Sequence, residues 1–299
     1  MLHIMTNNRR RPVRAALSAL LGVAVLVTAG CGSDSSPAAP QVTTRGPATL
    51  PGGPVTAEVS VAVPGSLAAD FADLQRGLRG SVGMAIMPVA GTKMVTFGDW
   101  TTGPAWSTIK VPLAIAVSRR SSAYNSSVNA AITASDNAAA DALWSTFGDN
   151  ADAAAAVEGV LREGGDATTT VPTVRTRSDA SIYGQAEWAL ADQVRFAAQL
   201  PCLPQSERVV GLMQQIVVSH RWGLGAFTSA EFKGGWGPDT AGKYLVRQFG
   251  MIDSPSGRIA VAFAAKPDSG AFADGMTMLD KMATLLSGHL DELAGGHCP

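Results

Sequence analysis

Beyond Pro64 the spacing of apolar residues switches between the helical and the strand period. Residues 67–78 place them three to four apart, which predicts an amphipathic helix. Residues 82–89 and 93–97 are short strand-like runs separated by Ala90-Gly91, the pattern of a hairpin. Helical spacing then holds over 107–118, 128–143, 151–162, 183–200 and 206–218, with stops at Gly164-Gly165 and Pro201. Three more strand candidates, 231–235, 244–252 and 258–264, precede a last helix over 272–289. There is no internal repeat. This order predicts an α+β fold: a five-stranded antiparallel sheet assembled from both ends of the chain and flanked by helices, with a trimmed all-helical lobe over about residues 107–219.

Upstream the pattern changes. Arg9, Arg10, Arg11 and Arg14 precede an apolar run over 15–29, and the first 30 residues hold no acidic side chain. The run falls short of the roughly 20 residues a membrane-spanning helix needs and suits the hydrophobic region of a secretion signal. It ends in Val27-Thr28-Ala29-Gly30-Cys31, which resembles a bacterial lipobox: small residues for the peptidase, then a cysteine whose thiol takes the lipid. On that reading residues 1–30 are a lipoprotein signal and Cys31 is the lipidated residue. The protein is then exported and anchored by its lipid to the outer face of the bacterial cytoplasmic membrane. The alternative is an ordinary cleaved signal followed by an incidental cysteine. Arg9, Arg10 and Arg11 also admit twin-arginine export. Residues 32–64, rich in Ser, Pro, Gly, Thr and Ala, read as a flexible tether, and residues 65–299 as the folded domain.

Composition narrows the function classes. Of 299 residues, 46% are hydrophobic and 16% charged, which excludes a wholly disordered chain. With 23 basic against 24 acidic residues, nothing suggests a nucleic-acid partner, and the expected state is a monomer. Cysteine is used three times. With Cys31 lipidated, Cys202 and Cys298 remain, either as a disulfide formed outside the membrane or as two free buried thiols. His3, His220, His289 and His297 are scattered without metal-ligand spacing, so neither metal nor cofactor is expected.

Chemistry enters at Trp106-Ser107-Thr108-Ile109-Lys110, where Ser107 and Lys110 open a helical stretch nearly one turn apart. The positive helix end favours an alkoxide and a neutral amine, as an activated serine requires. Pro112 is expected to bend this helix early. Ser-x-x-Lys alone arises by accident roughly once in a chain of this size. Ser135-Asp136-Asn137, a polar break inside an apolar helical pattern, is expected in only about one chain in twenty. By itself it is also a good turn or helix cap. A third element, Phe232-Lys233-Gly234-Gly235-Trp236-Gly237, sets a lysine beside glycines on a strand candidate.

In this order the three elements resemble the penicillin-recognising serine enzymes, the superfamily of class A β-lactamases and D-Ala-D-Ala peptidases. The resemblance covers nearly all of the chain after Gly65, and the run 158–166 looks like the segment leading into the class A omega loop. It implies that Ser107 is the acyl-accepting nucleophile and Lys110 its proton acceptor, kept partly neutral by nearby positive charge. Ser135 would relay the proton to the leaving nitrogen. Asn137 would hold the substrate amide and Lys110, and Lys233 would supply positive potential toward a substrate carboxylate. The backbone N–H groups of Ser107 and Trp236, beside Gly235, would form the oxyanion hole. Arg247 on the next strand candidate either adds a contact to that carboxylate or is a surface arginine.

Three departures bear on the activity. The omega-loop stretch 171–177 carries no carboxylate to activate a deacylating water; Asp179 and Glu187 lie further on, Glu187 in a helical pattern. Gly234 stands where the family has Thr or Ser, so a hydroxyl that holds the substrate carboxylate is missing. Ser135 follows Ser107 by only 28 positions, which trims the helical lobe. The resemblance therefore implies a serine acyl-enzyme hydrolase acting on peptidoglycan stem peptides, related D-amino-acid amides or β-lactams. The alternative is a non-catalytic, lipid-anchored cell-envelope binding protein that keeps the fold.

Overall fold

The computed structural model describes residues 66–299; the signal and tether expected over 1–64, Cys31 included, lie outside the described residues. Helix α1 (Ser66–Gly77) leads into β1 (Gly80–Pro88) and β2 (Val95–Gly98). Six helices follow: α2 (Lys110–Arg120), α3 (Asn125–Thr133), α4 (Asn137–Ser145), α5 (Asn150–Glu163), α6 (Leu190–Gln199) and α7 (Glu207–Met213). Strands β3 (Glu231–Pro238), β4 (Tyr244–Ser254) and β5 (Gly257–Pro267) then precede α8 (Phe272–Ser287). All strand pairs are antiparallel, in the order β2-β1-β5-β4-β3. Strands from both ends of the sequence share one sheet, and the helical block is inserted between β2 and β3.

Helices on both faces explain why the strands carry apolar runs instead of clean alternation. Every residue from Val82 to Met87 in β1 and from Ile259 to Ala265 in β5 is buried. One face holds Gly83, Phe249, Ala262 and Ala264, and α6 packs there, with Phe196 and Phe249 ring centroids 6.0 Å apart. Small side chains let that helix come close. A Cβ at Gly83 would already lie 2.9 Å from the Leu190 side chain. Helices α1 and α8 cover the other face.

The expected elements are present with shifted ends, and four differences stand out. The helix expected over 128–143 is two helices, because Ser135 takes φ +56° and Asp136 caps α4, its carboxylate accepting from Ala139 N at 2.7 Å. Of the stretch 183–200 only Leu190–Gln199 is α-helical; Glu187 instead lies in an extended segment bridged to Pro104. The helix expected over 206–218 closes at Met213. Pro112 falls in the first turn of α2, where its missing N–H has no intrahelical acceptor to lose, and the helix runs on to Arg120.

Cys202 and Cys298 form a disulfide that closes a loop of 96 positions, and Arg258 and Gly296 exchange backbone hydrogen bonds beside it at 2.9 and 3.0 Å. Cys202→Ser is expected to lower stability by about 2–4 kcal/mol, since the unfolded chain regains loop freedom. Urea unfolding under oxidising conditions checks this, and reduction of the wild type should match the variant. No helix among the described residues is long and apolar enough to cross a membrane.

Candidate active site

Ser107 stands half-buried in a 3₁₀ turn, Trp106–Ile109, ahead of α2. Two extended segments deliver it: Ala105 N donates to Ala186 O at 2.8 Å, Trp188 N to Gly103 O at 3.0 Å and Leu190 N to Thr101 O at 2.8 Å. Arg247 lies fully buried beneath them. Its guanidinium donates to the carbonyls of Gly103 (2.8 Å), Pro104 (3.0 Å) and Trp188 (2.9 Å) and to Gln193 Oε1 (3.0 Å). Gln193 Nε2 donates to Thr108 Oγ1 at 3.0 Å, and Thr108 Oγ1 donates to Ala105 O at 2.6 Å. A continuous buried chain therefore joins Arg247 to the turn that carries Ser107. Both expectations for Arg247 need correction: it neither faces a substrate carboxylate nor lies on the surface. The β3–β4 register sets it opposite Gly235, on the face closed by the delivering segments. Burial pushes its pKa down to about 9, with Glu187 opposing. Arg247 is a positioning residue.

The break at Ser135 serves the same place. A non-glycine residue at positive φ costs on the order of 1–3 kcal/mol and persists only where the surroundings fix it. Here the turn aims oxygens at Lys110, whose Nζ donates to Ser135 O and Asn137 Oδ1, both at 2.6 Å. Nζ also lies 3.3 Å from Asp136 O and 3.5 Å from Ser135 Oγ. Ser107 Oγ is not among its partners. From the other side Lys233 Nζ donates to Ser135 Oγ at 2.9 Å and to Gly234 O at 2.8 Å. The Ser135 hydroxyl thus bridges two amines whose residues are 1% and 2% exposed. Burial pushes Lys110 down to about 8, against Asp136 and Asp141. Burial, and then Lys110, hold Lys233 well below the ordinary lysine value. The cause expected for a neutral Lys110 was nearby positive charge; it is desolvation instead, and the charges that act on Lys110, Asp136 and Asp141, oppose it.

Strand β3 ends the sheet and passes directly over the turn. A Cβ at Gly235 would lie 2.9 Å from Ala105 O, Ser107 N and Thr108 N, and one at Gly237 2.6 Å from the Trp106 ring. Glycine permits the approach. Lys233, Gly235 and Gly237 share the face toward Ser107, while Gly234 and Trp236 take the other. There the Trp236 ring meets His220 (4.9 Å between centroids), Trp222 (5.9 Å) and Phe272 (5.3 Å). Burial first, then Lys233 and Lys110, lower the pKa of His220. Sequence reasoning missed this aromatic wall, because its members come from three distant segments and match no motif.

The stretch 171–177, without a carboxylate, presents a cation instead. Arg177 pairs with Asp179 at 2.7 Å, donates to Pro238 O and lies 5.4 Å from the centre of the Trp106 ring. Of the two carboxylates further along the chain, Asp179 is held by Arg177, and Glu187 is exposed in its bridge rather than on a helix. Among the described residues no group of three or more His, Cys, Asp or Glu is placed to hold a metal ion.

No family model matches the sequence, and no curated protein matches it. Solved structures do. A β-lactamase from Chitinophaga pinensis is similar at a TM-score of 0.63 and 15% identity, over 76% of this chain and 100% of that one. The TLA-3 extended-spectrum β-lactamase gives 0.62 and 13%, over 75% and 98%. A β-lactamase from Streptosporangium roseum gives 0.59 and 16%, over 76% and 99%. At these identities the likeness is one of fold.

Proposed function

From the β-lactamase fold of residues 66–299, we propose that the chain is a serine acyl-enzyme hydrolase. One observation carries this reading: the Ser135 hydroxyl bridges two buried lysine amines beside the turn that bears Ser107. Ser107 Oγ attacks the acyl carbon and its proton passes to Lys110 Nζ. Ser135 hands a proton to the leaving atom, and the N–H groups of Ser107 and Trp236 hold the oxyanion. Water then cleaves the acyl ester and Ser107 regains its proton. With Lys110 titrating near 8, about a tenth of it is neutral at pH 7.

The resemblance offers peptidoglycan-type D-amino-acid amides and β-lactams as acyl donors. The absence of a carboxylate from 171–177 supports slow deacylation of β-lactams. Export and lipidation at Cys31 belong to the same proposal, since the anchor would hold the domain against the cell envelope.

Intact-mass spectrometry of the full-length protein with a fluorophosphonate and, in large excess, benzylpenicillin tests this. One adduct per chain is expected from each reagent. The labelling rate should rise about tenfold per pH unit until it levels above about pH 8, as Lys110 loses its proton. The penicilloyl adduct should persist. Absence of the fluorophosphonate adduct would overturn the hydrolase and leave the binding-protein reading, while rapid penicillin consumption with no lasting adduct would reveal an efficient base for deacylation.

A further inference from the structure

Resting on the reading that Ser107 is acylated, we propose that Asp141 is the base that activates water for cleavage of the acyl ester, with Tyr183 as the residue that positions it. Hydrolysis needs such a group. The stretch 171–177 supplies none, Asp179 is held by Arg177, and Glu187 is bridged to Pro104. The carboxylate comes instead from α4.

Asp141 lies one helical turn beyond Asn137, whose Oδ1 accepts from Lys110 Nζ at 2.6 Å. Residues four apart share a helix face and side chains lean toward the N-terminus, so Asp141 leans toward Asn137. Its charge is near enough to Lys110 to favour the protonated amine. From another direction the Tyr183 hydroxyl donates to Asp141 Oδ1 at 2.7 Å. Tyr183 is 1% exposed, and its ring lies 5.4 Å from that of Trp144 on the same helix, centre to centre. Burial, and then the bond to Asp141, push the Tyr183 pKa up, so its hydroxyl stays a donor. Arg175, the other charge acting on Tyr183, donates to Ser178 O. Gly184 follows and packs on the residue before the nucleophile: a Cβ there would lie 3.5 Å from Trp106 O and 3.6 Å from Trp106 Cα. Asp141 is thus tied through Tyr183 to the start of the turn that bears Ser107, and through Asn137 to Lys110 at its end. It is exposed, and its Oδ2 takes no hydrogen bond among the described residues. One oxygen is held and the other is open to water, the geometry a general base requires.

A linear ester or amide releases its leaving group beside Ser135 and Asn137, and water enters the space. The water oxygen bonds to the acyl carbon as its proton passes to Asp141 Oδ2. The acyl–Oγ bond then breaks, and that proton returns to Ser107 Oγ by way of Lys110, which yields the carboxylic acid and the free enzyme. In a β-lactam the leaving nitrogen stays tethered to the acyl group and keeps the space filled, so the penicilloyl ester outlives a simple one.

The test uses p-nitrophenyl acetate on the full-length protein. Release of p-nitrophenolate, after subtraction of the Ser107→Ala rate, gives turnover, and intact mass after an acid quench gives the acetylated fraction. The side chain of Asp141→Asn still accepts from Tyr183, so this variant removes the base and keeps the tie. Turnover should fall about a hundredfold with the acetyl-enzyme as the main species, and the remainder should climb about tenfold per pH unit as hydroxide replaces the assisted water. Tyr183→Phe should also slow turnover, and the double variant should be no slower than Asp141→Asn, because Tyr183 acts through that carboxylate. Additive losses would overturn the role given to Tyr183. Turnover in Asp141→Asn within about threefold of wild type overturns the proposal. So does a fall that leaves the enzyme unacylated, which would assign Asp141 to acylation. In either case fluorophosphonate still labels wild-type Ser107; failure of that labelling overturns the acylation reading, and this proposal with it.

Discussion

Acylation of Ser107 is expected to slow about a thousandfold when Lys110 is replaced by methionine, and to cease when Ser107 is replaced by alanine. Methionine keeps the apolar stem that α2 buries and removes only the amine. The rate loss therefore reports the proton acceptor, not a collapsed helix. Fluorophosphonate labelling against time gives the rates, and the step near pH 8 should vanish with the amine. A rate in Lys110→Met within about tenfold of wild type would sink this assignment.

The same substitution has a signature in stability. Folding lowers the Lys110 pKa from 10.5 to about 8, so it disfavours the charged form by about 3 kcal/mol. Below pH 8 both folded and unfolded chains carry the proton, and the folded state bears that cost in full. Between about 8 and 10.5 the folded chain has released the proton while the unfolded chain still holds it, so wild-type stability rises with pH. Lys110→Met removes this contribution, and denaturant unfolding across the window should show a shallower rise.

Arg247→Leu is expected to cost about 3–5 kcal/mol, which for a domain of this size lowers Tm by about 10 °C. Relief of the burial that pushes Arg247 down to about 9 does not offset the loss, because the carbonyls of Pro104 and Trp188 and Gln193 Oε1 lose this donor in a dry interior, and that of Gly103 keeps only Trp188 N. The damage should reach function through geometry. With Gln193 released, Thr108 loses a hydrogen bond, and the turn carrying Ser107 loosens. Arg247→Lys, which keeps the charge but not the fork, should recover part of the stability and less of the labelling rate. A variant as stable as wild type would show that these hydrogen bonds contribute nothing net.

Three levels of organisation were legible in the residues. The switching period of apolar positions determined the α+β order and all five strands, because burial acts on every residue of an element and leaves a repeating trace. Ser107, Lys110, Ser135, Asn137 and Lys233 were legible as candidates in three short motifs, and the structure brings Lys110, Ser135, Asn137 and Lys233 into one hydrogen-bonded cluster beside the turn that bears Ser107. Cys202 and Cys298 were legible only as a candidate pair, with two free thiols as the alternative, and the fold brings them together. Arg247 was not: a strand position tells which residue alternates with which, not which face lies under the segment 101–105. Nor was Glu187, whose helical spacing yielded to the bridge with Pro104. The wall of His220, Trp222, Trp236 and Phe272 and the depressed pKa of Lys110 depend on contacts between segments far apart in the chain. The sequence by itself determined which chemistry is available and in what order the elements follow. Only the tertiary structure decided which charged groups are buried, which are already satisfied, and which surface a substrate would meet, because desolvation and hydrogen bonding act through space between residues that sequence spacing does not relate.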